Sequence, residues 1–304
     1  MFCMAATPFH EDGSLDEDGL RRHLRRIADA GNGIYLGSGG AGEGHVLTPA
    51  ELRRIYEIGV EVGRGSVPVY ANPRESRSAA AMYEVAQEAV AAGVDAVQIY
   101  QLDAGHGMIP TLREQEAYFR ELLDEIDHPI AISVHIYAGY NAPVALLAAL
   151  CRDYPQVIAL NVMGPPNNWF MEVRDALPES VRMYTGIVNL LQVLALGASG
   201  ALLAENNIIP TVCRSLADAW LAADLDTAGD AARTVQRFAN VVNRWSPSTA
   251  RWVKMAMKVL DLPAGNGVLR RPYLLPPEAE QREMAQAFDA LHIRDLEGLP
   301  VAAG

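Results

Sequence analysis

The chain has 304 residues, 50% hydrophobic and 20% charged, with 37 acidic side chains against 25 basic ones. That length supports one large domain or two small ones around a substantial core, while a formal net charge of −12 excludes a nucleic-acid binder that neutralises phosphates with a basic face. No apolar run approaches the roughly 18 residues of a membrane span, the start MFCMAATPF lacks a signal peptide's basic opening, and Cys3, Cys151 and Cys213 form no CxxC, so a soluble, reduced, cytoplasmic protein is expected.

In chain order, short apolar runs predict strands at residues 2–6, 34–37, 67–71, 96–100, 130–136, 157–162, 182–185 and 200–204. Amphipathic stretches between them predict helices, among them 16–30, 49–62, 78–92 and 112–125. Thr48 with Glu51 and Thr111 with Glu114 read as capping boxes, and Pro49 suits a first helical position. Gly31, Gly93 and Gly197 each stand where a helix should stop before the next strand. Strands alternating with helices imply right-handed parallel βαβ units. Eight such units in about 225 residues suit an α/β fold of the (β/α)8 TIM-barrel kind better than an open sheet. Helices at 227–243, 249–260 and 277–291 then form a C-terminal extension, so the expected division is a barrel at 1–223 and a helical region at 224–304 packed on it.

In such barrels chemistry gathers where the strands end at their carboxyl side. The loops to inspect are therefore 39–45, 72–77, 103–107, 133–140, 161–166, 186–189 and 205–207. Gly37-Ser38-Gly39-Gly40-Ala41-Gly42 matches G-x-G-x-x-G letter by letter, but the next helix begins only near Thr48 and position 62 is still helical. A dinucleotide fingerprint needs its third glycine at the helix start and an acidic residue after the next strand. Two readings stay open: a loop whose bare N–H groups hold a small anion, or a plain tight turn. Lys254 and Lys258 are the only lysines, every other cationic side chain being arginine, so any amine chemistry has two places to arise.

A series of short motifs also occurs in order. These are Thr7-Pro8-Phe9 with Asp12-Gly13; Gly42-Glu43 with Leu47-Thr48 and Glu51; Val67-Pro68-Val69; and Gly93-Val94-Asp95-Ala96-Val97. Gly197-Ala198-Ser199-Gly200 with Asn207 and Pro210 follows, then Val253-Lys254, Gly265 and Arg271-Pro272. Over essentially the whole chain this resembles the dihydrodipicolinate synthase / N-acetylneuraminate lyase family. The resemblance implies the barrel, the C-terminal helices, a small carboxylic acid as substrate or ligand, no cofactor, and a homo-oligomer, either dimer or tetramer. It also implies imine chemistry, in which a lysine on the sixth strand joins a 2-oxo acid and a tyrosine on the fifth relays protons.

By position, that lysine falls on Asn161 and that tyrosine on Ser133. The two hydroxyl residues that hold the carboxylate fall on Gly40 and Ala41, next to Gly42, and a tyrosine pair falls on Leu102 and Asp103. The family's arginine has no counterpart near Ala138. Glu43, Gly186, Asn207 and Lys254 match. An amide nitrogen is not nucleophilic, because its lone pair is delocalised, so Asn161 forms no imine. If Ser133 points inward as the tyrosine would, period-two alternation sends His135 and Tyr137 the same way. His135 is then either a general base near neutral pH or a hydrogen-bonded core histidine.

The expected catalytic set is His135, Ser133, Asn161, Tyr137 and Glu205; the expected substrate-binding set is Gly40, Ala41, Gly42, Asp103, His106 and Gly186, with no metal. The leading expectation is a lyase or hydratase for a small 2-oxo or hydroxy acid that works without a Schiff base. A non-catalytic ligand sensor is the first alternative. A metal-dependent lyase using His106, His135, Asp103 and Glu205 is the second, although no HxH or HExxH spacing backs it.

Overall fold

The computed structural model describes residues 1–300 except 75, 136, 137, 165 and 246–248, and gives the backbone of His135 without its side chain. Eight strands close into a barrel in the order β1 to β8: β1 Phe2–Met4, β2 Gly33–Leu36, β3 Val69–Ala71, β4 Ala96–Tyr100, β5 Ile130–His135, β6 Val157–Met163, β7 Arg182–Thr185 and β8 Gly200–Leu203. The pairs β1–β2 and β3–β4 through β7–β8 are parallel. Between strands run α1 Glu17–Asp29, α2 Pro49–Gly63, α3 Ala79–Ala92, α4 Leu112–Glu125, α5 Val144–Asp153, α6 Asn167–Ala176 and α7 Leu190–Ala195. After β8 come α8 Pro210–Leu221, α9 Leu225–Val242, α10 Thr249–Val259, α11 Glu278–Ala290 and the short α12 Ile293–Leu296. This is the (β/α)8 barrel with C-terminal helices expected from the alternation.

Local chemistry accounts for the boundaries. Both expected capping boxes form, with Thr48 and Thr111 accepting from the backbone of Glu51 and Glu114 while those carboxylates reach back. Ser78 caps α3, and Gly93 ends it in the left-handed conformation at φ 81°, which costs glycine little. Strand interiors are close to fully buried; Ile34, Ile99, Ile130, Leu160 and Ala201 are all inaccessible. Each large apolar side chain so buried contributes roughly 1.5–3 kcal/mol.

Contacts divide the chain into two compact units, Met1–Val69 with Leu203–Gly304 and Tyr70–Leu202. The C-terminal helices share a unit with β1 and β2. Side chains tie the two segments of that unit. Asn207, just after β8, accepts from the Ala6 amide at 2.9 Å and donates to the Met4 carbonyl at 2.8 Å. Asn32 donates to Pro210, and Asn266 to Phe9.

Candidate active site

In the second unit, register assembles one layer across the strands: Tyr100 on β4 lies beside Ser133 on β5, Ser133 beside Asn161 on β6, and Asn161 beside Tyr184 on β7. Ser133 is 3% exposed and Asn161 fully buried. A buried amide must find partners, since leaving one unpaired costs about 1–3 kcal/mol. Asn161 Nδ2 donates to Gln98 Oε1. Gln98 Nε2 donates to Asn72 Oδ1 at 2.7 Å, and the same oxygen accepts the Tyr100 hydroxyl at 2.5 Å. Asn72 follows β3 directly, and Gln98 and Tyr100 share one face of β4 by their spacing of two. The result is a chain of three carboxamides closed by a phenol, with no formal charge.

Asn72, Gln98 and Tyr100 escape the motif-based reading. The available signal is Gln98, a polar residue in an otherwise apolar strand, which is uncommon in a core without a specific partner. Burial pushes the Tyr70 hydroxyl up to about 12 and raises that of Tyr184 as well.

Other predicted residues of this unit that are described lie at strand ends or in loops. His135 occupies the last position of β5, opposite Met163, and its side chain lies outside the described residues, as does all of Tyr137. Gly186 follows β7, and a Cβ there would come within 2.9 Å of Met163 Cε. Asp103 accepts from Arg77 Nε at 3.0 Å in an exposed pair, and His106 is exposed at a left-handed φ of 55°. Arg74 is exposed as well. Tyr140 donates to the Leu102 carbonyl and its own carbonyl accepts from Gln101, stitching the loops after β4 and β5.

The first unit holds the glycine-rich loop and most of the buried charge. Gly44 N–H donates to the Ser38 carbonyl at 2.8 Å, Gly42 N–H to Ser38 Oγ at 3.1 Å, and Thr7 Oγ1 to the Gly42 carbonyl at 2.7 Å. Gly44 is required here: an added Cβ would collide with the Gly37 carbonyl oxygen. Among the described residues, the amides of Gly40 and Ala41 donate to no protein group. His45 is exposed, with Nδ1 3.0 Å from the Gly39 carbonyl.

Glu43 is 1% exposed and forms an ion pair with Lys254, which also donates to the Val268 carbonyl at 2.7 Å. Burial lowers the Lys254 ammonium pKa, and Glu43 opposes that shift. Lys258, the other lysine, is exposed on α10.

Glu205 lies in a single 3-10 turn after β8, 7% exposed, its carboxyl raised by burial. Its charge adds to the burial that raises the Cys3 and Cys213 thiols, so these are buried apolar-like cysteines. His23 is buried with Nε2 2.8 Å from Asn207 Oδ1, and His128 Nε2 is 2.8 Å from the Val94 carbonyl. Among the described residues, no group of three His, Cys, Asp or Glu side chains is placed to hold a metal ion, and no helix is long and apolar enough to cross a membrane.

Comparison with known proteins agrees with this architecture. The chain is 25% identical over 293 residues to the 4-hydroxy-tetrahydrodipicolinate synthase of Chlorobium phaeovibrioides, covering 94% of each. It is 30% identical over 236 residues to that of Acidiphilium cryptum, covering 73% of this chain and 75% of the relative. The dihydrodipicolinate synthase of Aquifex aeolicus superposes with a TM-score of 0.87 at 21% identity, over 96% of this chain and 97% of its own. An Escherichia coli K12 prophage protein of the dihydrodipicolinic acid synthase family, solved with pyruvate, gives 0.87 at 20%, over 96% of this chain and 98% of its own. The model of the dihydrodipicolinate synthetase family matches residues 1–291, and the chain belongs to that family.

Proposed function

We propose that this chain is a lyase or hydratase acting on a small 2-oxo or hydroxy acid, and that it has abandoned the Schiff base. One observation carries the reading: Asn161, at the position the family resemblance gives to the lysine, is tied by its amide to Gln98, while the chain's two lysines stand on α10. One of them is engaged by Glu43 and the Val268 carbonyl, and the other is exposed.

Without a covalent tether the reaction needs a base and a preorganised dipole for the developing oxyanion. In this reading His135 takes the proton beside the carbonyl, and Ser133 with Asn161 supplies the dipole. Hydrogen bonding by Gln98 holds the Asn161 amide in one orientation, which is what preorganisation requires. Tyr137 and Glu205 remain proposed proton carriers. Gly40, Ala41 and Gly42 hold the carboxylate, with Asp103, His106 and Gly186 as further contacts. The family resemblance supports a dimer or tetramer, and the scattered, unpaired cysteines support a reduced, cytoplasmic setting.

The test is pyruvate with borohydride, followed by intact mass. No added mass is expected, and a stable adduct on Lys254 or Lys258 would overturn the reading. A non-catalytic ligand sensor is favoured by one feature, the mutual satisfaction of Asn72, Gln98 and Tyr100. Binding of 2-oxo acids without turnover, unchanged in His135→Ala, would decide for the sensor.

A further inference from the structure

The Glu43 backbone sits at φ 53°, ψ 29°. For a residue with a Cβ this left-handed conformation costs roughly 1–2 kcal/mol, so its surroundings must hold it there. They do so through side chains from much later in the chain. The Glu43 carboxylate pairs with Lys254 and accepts the Arg270 amide at 3.2 Å. Both cations lie against the Phe9 ring, with Lys254 Nζ 4.2 Å and the Arg270 guanidinium carbon 4.5 Å from its centre.

Arg270 then reaches the far end of the glycine-rich loop. It donates to the Val46 carbonyl at 2.9 Å, to the Gly13 carbonyl at 2.7 Å, and to Glu51, the residue that closes the Thr48 capping box. The N-terminal residue of α10, Thr249, borders the near end, where a Cβ on Gly40 would lie 3.7 Å from its Cβ and Oγ1. The loop is thus gripped at Glu43 and Val46. Glu43 in turn donates its own N–H to the Gly40 carbonyl at 3.3 Å, so its placement governs that of Gly40 and Ala41.

We propose that Lys254 and Arg270 are positioning residues: by clamping Glu43 and Val46 they set the direction of the Gly40 and Ala41 amides that receive an anion. The anion part of this inference rests on the carboxylate role given to the loop above. It also gives a reason for one of the two lysines of an arginine-rich chain to stand at this buried place. A compact ammonium meets Glu43, the Val268 carbonyl and the Phe9 face from one point, whereas the longer fork of Arg270 spans the separate acceptors Gly13, Val46 and Glu51.

Two measurements on Lys254→Met and Arg270→Gln test the proposal. The first is amide hydrogen exchange without ligand. Protection across residues 37–47 is expected to fall about tenfold or more beyond any fall in strands β4 to β6, as local opening in addition to lowered global stability predicts. The second is calorimetric affinity for pyruvate and for uncharged pyruvamide. Pyruvate is expected to bind about tenfold more weakly, pyruvamide as in wild type, and Lys254→Arg should not restore the difference. Arg270→Gln carries both readouts if Lys254→Met does not fold. Wild-type protection over 37–47 in a folded variant overturns the clamp. Equal weakening for both ligands, or unchanged pyruvate affinity despite lost protection, overturns the positioning role. Lost protection in a protein whose wild type binds no pyruvate leaves the clamp intact and instead removes the carboxylate reading.

Discussion

The two units solve the problem of buried polarity in opposite ways. The first buries formal charge and compensates it, setting Lys254 against Glu43 and bringing Arg270 to Glu51. The second buries neutral amides and a phenol that satisfy one another, Asn161 to Gln98 to Asn72 with Tyr100. Charge suits a clamp, because removing one partner strands the other at high cost. Neutral amides fill a buried space without stranding an ion.

Breaking the charged pair should produce the largest effect. Lys254→Met or Glu43→Gln alone leaves an uncompensated buried group and should cost about 3–5 kcal/mol in denaturant unfolding. The double variant should lose clearly less than the sum. Strict additivity would mean that the two do not act as a pair. Cutting the amide chain should cost less: Gln98→Leu removes a partner from both Asn72 and Asn161 and should destabilise by about 1–3 kcal/mol. A change within measurement error would show that the ladder is not what satisfies Asn161.

The pH responses should be smaller, and those of His23 and Tyr70 should fall on opposite limbs of the titration. Burial holds the His23 pKa at about 4, against 6.5 for the free side chain. The unfolded chain therefore binds the extra proton first, so this contribution is present above 6.5 and is lost as pH falls toward 4. Replacing His23 with Gln should flatten stability over that window in acid titrations of unfolding. In the second unit, Tyr70 and Tyr140 are pushed by burial to about 12 from 10, so the folded state keeps their protons longer and stability declines as pH rises above 10. Tyr70→Phe should lessen that alkaline decline while leaving the acid limb unaltered.

Much of the scaffold is legible from residues close together in the chain. The Thr48 and Thr111 boxes, the Gly93 stop and the run of β4 each depend on a few neighbours, and each forms where the pattern indicates. The expected strand at 67–71 is shorter, starting at Val69. Helices α5 to α8 carry weaker start signals: α5 and α6 have prolines at their caps and no side-chain cap bond. The candidate site is legible only in part. Position along the family motifs points to Ser133 and Asn161, and nothing in a motif points to Asn72.

From its sequence alone this protein acquires the alternation of strands and helices, the shortage of lysines and the carboxamide at position 161, because turn, cap and period-two preferences act over a handful of residues. The company each polar group keeps is a product of folding. Gln98 meets Asn161 across 63 positions and Arg270 meets Glu43 across 227, separations over which no local preference acts. Only closure of the chain brings such groups within bonding distance, and the cost of burying them unpaired selects which ones meet.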